Sequence, residues 1–269
     1  MDMTFVAERG LVLLGCGKMG SAMLAGWLEG GLPASSVHVI DPAPSDWLQG
    51  TGVAINGAMP GDPAIVLIAV KPQMMTEALP AIKGFGADTL FVSVAAGTPI
   101  RAYEAALGAQ ATIVRAMPNT PAAVGRGITA IVGNAHAGDA ELALAEMLLS
   151  AVGQVVRLDS EDQMDAVTAV SGSGPAYVFH LIEAMTNAGI AEGLPADLAL
   201  KLARATVAGA GDLAEKSGEQ PGQLRINVTS PGGTTAAALS ILMDEASGFT
   251  PLLKRAVKAA ADRSRELSA

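Results

Sequence analysis

"LVLLGCGKMGSAM", residues 11–23, joins a short apolar run to a helix-like one through three glycines. Gly15, Gly17 and Gly20 stand in the spacing G-x-G-x-x-G. The bare pattern is weak evidence, but here a strand-like run precedes it and a helical run follows, which is the context of a dinucleotide-binding turn. Gly15 then permits the tight turn, Gly17 lets a pyrophosphate approach the backbone, and Gly20 lets helix pack on strand. The phosphates would rest on the helix N-terminus, where free N–H groups and the helix dipole favour an anion. Cys16, Lys18 and Met19 complete the candidate loop. An ordinary glycine-rich turn in an α/β protein is the plainer alternative.

Outward from this turn the pattern continues. "VHVID" (37–41), "AIVLIAV" (64–70), "TLFVSV" (89–94), "TIVRA" (112–116), "ITAIV" (128–132) and "QVVRL" (154–158) read as buried strands. They are short, rich in β-branched residues and bounded by turn residues. Helices are expected at roughly 18–30, 73–82 and 99–108. Strands alternating with helices imply a parallel-rich, doubly wound sheet of the Rossmann type. After Asp159 strand-like runs stop, and Ala/Leu/Met-rich stretches follow at 161–170, 174–192, 196–216, 233–247 and 250–267. The expected organisation is therefore an α/β nucleotide-binding domain over 1–160 and an all-α domain over 161–269. So many apolar helices in so few residues exceed what one small domain can cover. A homodimer interface is the natural cover.

In an open parallel sheet, ligands lie beyond the carboxyl ends of the strands. "AVKPQ" (69–73), "SVAAG" (93–97) and "RAMPNTP" (115–121) close three consecutive strand candidates with Pro, Gly and polar groups. Each alone could be a plain strand-to-helix turn. Together they supply cofactor-site candidates at Ala69, Val70, Lys71, Pro72, Ala95, Ala96, Gly97, Met117, Pro118 and Asn119.

Bulk composition excludes several partners. Hydrophobic residues make up 50% and aromatic residues only 3%, so the core is aliphatic. The net charge of -9 argues against nucleic acid, which needs clustered Lys and Arg. Apolar runs fall short of the ~20 residues a membrane helix takes. "MDMTFVAERG" lacks a basic n-region, so no signal peptide is expected. The lone cysteine, Cys16, rules out an internal disulfide and fits a reducing compartment. The expectation is a cytoplasmic protein. Cys16 itself reads as a small loop filler, not a redox group. His38, His136 and His180 show no metal-ligand spacing, and His180 reads as packed or interfacial. "DSEDQMD" (159–165) reads as a solvated helix start instead of a metal site. No metal is expected.

One stretch is left over. "NVTSPGGTTAAAL" (227–239) crowds two glycines and four hydroxyl side chains ahead of an alanine-rich helix, where one cap would serve. In order, "GCGKMG", "AVKP", "AAG", "RAMPNTP", "SGSGPAYVF" and "VTSPGGTTAAAL" resemble pyrroline-5-carboxylate reductase, from about residue 11 to the C-terminus. "PGQLRINVTSPGGTTAAAL" (221–239) looks like that family's C-terminal signature. Met243 departs from it, standing where the family commonly has an acidic or amide residue.

The resemblance implies hydride transfer from NADH or NADPH to the C=N carbon of 1-pyrroline-5-carboxylate, giving proline. It also implies a homodimer, often assembled into a larger ring of dimers, and it adds Asn56 to the cofactor-site candidates. The substrate carries one carboxylate. A glycine-flanked helix mouth could hold it with backbone N–H donors and the positive dipole end. Substrate-site candidates are thus Ser230, Gly232, Gly233, Thr234 and Thr235, with the Thr235 hydroxyl, the catalytic candidate, near the imine nitrogen. Two rivals stay open. A β-hydroxyacid dehydrogenase would need a Lys and an Asn where Val178 and Ile182 stand. A non-catalytic NAD(P) sensor would be expected to show degraded motifs. On the cofactor, resemblance and residues pull apart. Many family members favour NADPH, yet Asp41 ends the second strand candidate and "PAPSDW" (42–47) offers no Arg or Lys for a 2′-phosphate. NADH is expected to serve at least as well as NADPH.

Overall fold

The computed structural model describes residues 3–86 and 88–268. Met1, Asp2, Ala87 and Ala269 lie outside the described residues, as does that much of the N-terminal stretch read above. By their contacts the residues form two compact units, 3–172 with 261–268, and 173–260.

In the first unit eight strands form one sheet: β1 (Leu11–Leu14), β2 (Val37–Ile40), β3 (Ala54–Ile55), β4 (Ile65–Ile68), β5 (Leu90–Ser93), β6 (Thr112–Met117), β7 (Gly127–Gly133) and β8 (Gly153–Arg157). Their order is β3-β2-β1-β4-β5-β6-β7-β8. The chain winds outward one way from β1 and then the other way from β4, so the switch point lies between those two strands. Leu11, Leu13, Ile65 and Leu67 join the core on one face, while Val12, Leu14, Val66 and Ile68 join the core on the other. That alternation explains why these strands read as continuous apolar runs: both faces are covered. Each fully buried aliphatic side chain contributes about 1.5–3 kcal/mol of transfer free energy.

One pairing is the exception in this parallel-rich sheet. β6 and β7 run antiparallel. The link between them, residues 118–126, is shorter than the ~12 residues a parallel crossover takes. α2 (Lys18–Glu29) follows β1 as expected, and Trp27 fixes it by donating its indole N–H to the Leu148 carbonyl at 2.9 Å. Leu148 lies in α6 (Asp139–Leu149), a helix that the sequence reading lacks. α5 (Ile100–Leu107) matches the expected third helix. The helix expected over 73–82 shrinks to α4 (Met75–Ala78) between two tight 3-10 turns, because prolines at 72 and 80 interrupt the ladder. Two short helices, α1 (Thr4–Arg9) and α3 (Asp46–Gln49), complete this part.

The stretch expected as one helix over 161–170 is a 3-10 turn, then α7 (Met164–Val167), then a wider π-type turn to Gly172. The texture changes at 160, but contacts divide the chain at Gly172. Glu161 and Asp165 tie the intervening residues to the first unit. Arg115 pairs with Glu161, and the Ser264 hydroxyl donates to Asp165.

The second unit is helical: α8 (Gly174–Ala191), α9 (Ala196–Lys216), α10 (Pro221–Asn227), α11 (Thr234–Leu242) and the start of α12 (Phe249–Ser268). α10 lies between the stretches expected as helices at 196–216 and 233–247, where none was expected, with Pro221 at its first position. α11 ends earlier than expected because the Asp244 carboxylate accepts N–H bonds from Ala246 and Ser247 and forms a turn. No residue of α8 or α11 is buried. Phe179, Leu202, Ile226 and Ile241 are among the exposed apolar side chains. Among the described residues no helix is long and apolar enough to cross a membrane.

Candidate active site

The glycine turn is built as its spacing suggests. Gly15 has φ +89°, a left-handed conformation, and a Cβ there would meet the Val70 side chain at 2.8 Å. A Cβ on Gly20 would meet the Gly15 carbonyl oxygen at 2.4 Å, so helix and turn touch only because neither has a side chain. Gly17 differs: nothing lies within 4 Å of its would-be Cβ. It is the N-cap of α2, with no side-chain cap and no acidic residue in the first turn. No side chain caps the mouth of α2, and Gly17 and Lys18 there are exposed, which suits an anion seat.

Asp41 immediately follows β2. Its carboxylate accepts the Cys16 backbone N–H at 2.7 Å and the Ala43 backbone N–H at 2.8 Å. Asn56 holds the Asp41 main chain from both sides: its amide oxygen accepts the Asp41 N–H, and its amide nitrogen donates to the Asp41 carbonyl. Asn56 itself has φ +51°. These two bonds fix the Asp41 main chain at the end of β2. Burial, then the Asp41 charge, pushes the Cys16 thiol up to about 11. A thiol held so far from ionisation fits a loop filler and not a nucleophile.

The remaining cofactor candidates sit at neighbouring strand ends. Ala69 and Val70 follow β4, with the Ala69 N–H bonded to the Leu14 carbonyl across the switch point. Lys71 and Pro72 open the next turn. Ala95, Ala96 and Gly97 follow β5. Met117 ends β6, and Pro118 and Asn119 lead out of it. The Asn119 side chain accepts the Ile128 N–H and donates to Ser171, so it braces the loop. All lie on the carboxyl edge of the parallel strands, where a nucleotide binds in such sheets.

Sequence reasoning missed a polar cluster beneath this edge: Ser93, Tyr103, Arg115 and Glu161. "DSEDQMD" is not simply solvated, since Glu161 pairs with a buried arginine at 2.6 Å. An arginine inside an otherwise apolar strand candidate, "TIVRA", was the available signal. Among the described residues no His/Cys/Asp/Glu group is arranged to hold a metal ion. His180 is exposed and lies 3.2 Å from Glu183.

The substrate candidates lie together in the second unit, at the mouth of α11. Gly232 has φ +69° and Gly233 is the N-cap, with no side-chain cap bond. Thr234 and Thr235 are the first helical residues, and Thr235 is half-buried. For all its hydroxyl groups, the stretch leaves the helix N-terminus uncapped by side chains. Met243 lies just past α11, its sulfur 3.2 Å from an Arg225 guanidinium nitrogen.

A family model described as pyrroline-5-carboxylate reductase dimerisation matches residues 161–267, and one described as NADP oxidoreductase, coenzyme F420-dependent, matches 10–97. Pyrroline-5-carboxylate reductase from Pseudomonas aeruginosa is 41% identical over 96% of both chains. The chain belongs to the pyrroline-5-carboxylate reductase family. Solved relatives agree with that membership. The Coxiella burnetii reductase matches with a TM-score of 0.90 and 32% identity, over 97% of this chain and 99% of that one. The Plasmodium falciparum enzyme, solved with NADP bound, matches with 0.85 and 29%, over 98% and 100%.

Proposed function

We infer that the protein is an NAD(P)H-dependent oxidoreductase that reduces 1-pyrroline-5-carboxylate to L-proline, the last step of proline synthesis. The observation that carries this reading is the uncapped mouth of α11 in a chain of this family. A cyclic imine with one carboxylate needs an anion seat beside an otherwise undemanding pocket. The N–H groups of Thr234 and Thr235 supply that seat, strengthened by the helix dipole. Gly232 and Gly233 allow close backbone approach, and Ser230 lines the same mouth. The Thr235 hydroxyl orients the imine nitrogen or relays its proton. With that nitrogen protonated, addition at the imine carbon leaves a neutral secondary amine, so a side-chain acid is not required for that step.

Residues of the glycine turn, with Asp41, Asn56 and the strand ends at 69–72, 95–97 and 117–119, are the candidates to hold the dinucleotide. Gly17 leaves the space for a pyrophosphate that any side chain would occupy. A bound reduced nicotinamide supplies the hydride, and the protein supplies orientation and electrostatics. Asp41 makes NADH the expected cofactor, at least equal to NADPH. A 2′-phosphate about 4 Å from its carboxylate would be repelled by roughly 4 kcal/mol at an effective dielectric near 20, before salt screening.

Residues 161–269 are proposed to serve as the dimerisation and substrate-binding domain, with the exposed apolar faces of α8 and α11 as interface. A ring of dimers is the larger assembly the family resemblance implies. A cytoplasmic location belongs to the same proposal, supported by a buried thiol suited to a reducing compartment. The test is nicotinamide absorbance with the imine added. Decay dependent on both enzyme and imine is expected, and steady absorbance at high enzyme overturns the reading.

A further inference from the structure

We propose that Glu161, Arg115 and Tyr103 are positioning residues that clamp the loop after β5, residues 94–99, in its cofactor-binding conformation. The inference rests on the reading of Ala95, Ala96 and Gly97 as cofactor contacts. That loop is tethered at both ends. At its start, the Ala95 N–H donates to the Ser93 hydroxyl at 3.3 Å, and Ser93 shares a 2.5 Å hydrogen bond with the Tyr103 hydroxyl. At its end, the Ile100 N–H, the first of α5, donates to Glu161 at 2.9 Å. The N-cap of α5 is Pro99, which offers no side-chain cap, so Glu161 caps this helix from another segment.

The same Glu161 oxygen accepts from Arg115 at 2.6 Å. Arg115 is 6% exposed at its side chain and Glu161 31%. Buried ion pairs are weak contributors to net stability, and apolar replacements often serve as well. What this pair offers is fixed geometry: a planar guanidinium anchored in β6 sets where Glu161, and hence the start of α5, can lie. Tyr103 is fully buried, and burial is the largest influence in raising its hydroxyl above its ordinary pKa. It remains a neutral hydrogen-bonding post. Ala95, Ala96 and Gly97 offer only backbone and methyl groups to a ligand, so such contacts depend on backbone placement. A site held loosely by as little as an ångström loses much of its effect.

The experiment is titration of NADH by fluorescence on the full-length protein, with circular dichroism to check folding. Glu161→Ala should weaken NADH binding by roughly tenfold or more. Glu161→Gln, which keeps an acceptor for Ile100 and Arg115, should recover most of that loss. Tyr103→Phe removes one hydroxyl and leaves the ion pair, and should weaken binding by about threefold, the scale of one hydrogen bond. In turnover, the KM for the cofactor should rise while that for the imine stays unchanged. Should Glu161→Ala fail to fold, Tyr103→Phe decides the matter. Folded variants that bind NADH within about twofold of the parent, less than one hydrogen bond, overturn the clamp. Equal rises in both KM values also overturn it, as the sign of general loosening. If the parent protein binds only NADPH, the same titrations are read with NADPH; a parent that gives a signal with neither cofactor sinks the nucleotide reading itself, and that outcome is distinct from either.

Discussion

The Asp41 carboxylate and the Cys16 backbone N–H are joined at 2.7 Å, tying the end of β2 to the glycine turn after β1. The other carboxylate oxygen accepts from Ala43, and Asn56 clamps the Asp41 main chain from both sides. The prolines at 42 and 44 therefore do not swing this acid away from the turn. NADH should be used at least as well as NADPH, and Asp41→Ser should move the preference toward NADPH. The ratio of kcat/KM values for the two cofactors measures this. Here the chain is expected to differ from the Plasmodium relative, which was solved with NADP bound. A preference for NADPH of about tenfold or more in the parent protein, some 1.4 kcal/mol, overturns the expectation.

Cys16 should be chemically quiet. Its thiol is raised from 9.0 to about 11 by burial and by Asp41, so it stays protonated through neutral pH. Alkylation by iodoacetamide at pH 8 should be much slower than that of a free thiol. The same shift gives a stability window. The folded state holds this proton more tightly than the unfolded chain, so the contribution is intact below pH 9.0 and is lost as pH rises toward about 11. Cys16→Ala should flatten that alkaline decline in a denaturant series. Rapid modification of the folded protein at pH 8 contradicts the assignment.

Met243 is the departure from the family signature, and its sulfur lies against the Arg225 guanidinium. Met243→Glu should put a carboxylate beside that cation. Both groups are exposed, so the gain should be small, about 0.2–1 kcal/mol, and should fade with added salt. Denaturant unfolding at low and high salt reads it. A loss of stability at low salt refutes the pairing.

Much of the nucleotide-binding unit was legible because its strands are buried on both faces and therefore read as unbroken β-branched runs. β3 was not legible, since Ala54 and Ile55 are too few to form a pattern. Strand direction leaves no mark in local residues, so the antiparallel β7 showed only in the short link at 118–126. α6 escaped although its acidic first turn, Asp139 and Glu141, was a usable start signal. At the site, glycines were readable because each answers a steric demand that sequence spacing reveals. The clamp on the loop after β5 was not, because Arg115 and Glu161 are 46 residues apart and only the fold brings them together. Asn56, expected as a cofactor contact, also holds the Asp41 main chain, a pairing that local spacing does not reveal.

The last prediction separates a hydroxyl from a backbone. Thr234 and Thr235 both open α11, yet they are expected to act through different atoms. The carboxylate of the imine is held by N–H groups, which survive any side-chain change at either position. Thr234→Ala should therefore leave turnover near that of the parent. Thr235→Ala should lower kcat by roughly 10²-fold or more, the usual scale for a positioned proton-handling or orienting group. The KM for the imine should change little, since its anchor remains, and NADH affinity should not change, since the dinucleotide candidates lie in the other unit. Steady-state kinetics with the imine varied, together with NADH titration, gives all three quantities. Turnover at the parent level in Thr235→Ala removes the hydroxyl from the mechanism, and equal losses in the two variants move the effect from the hydroxyl to the geometry of the helix mouth.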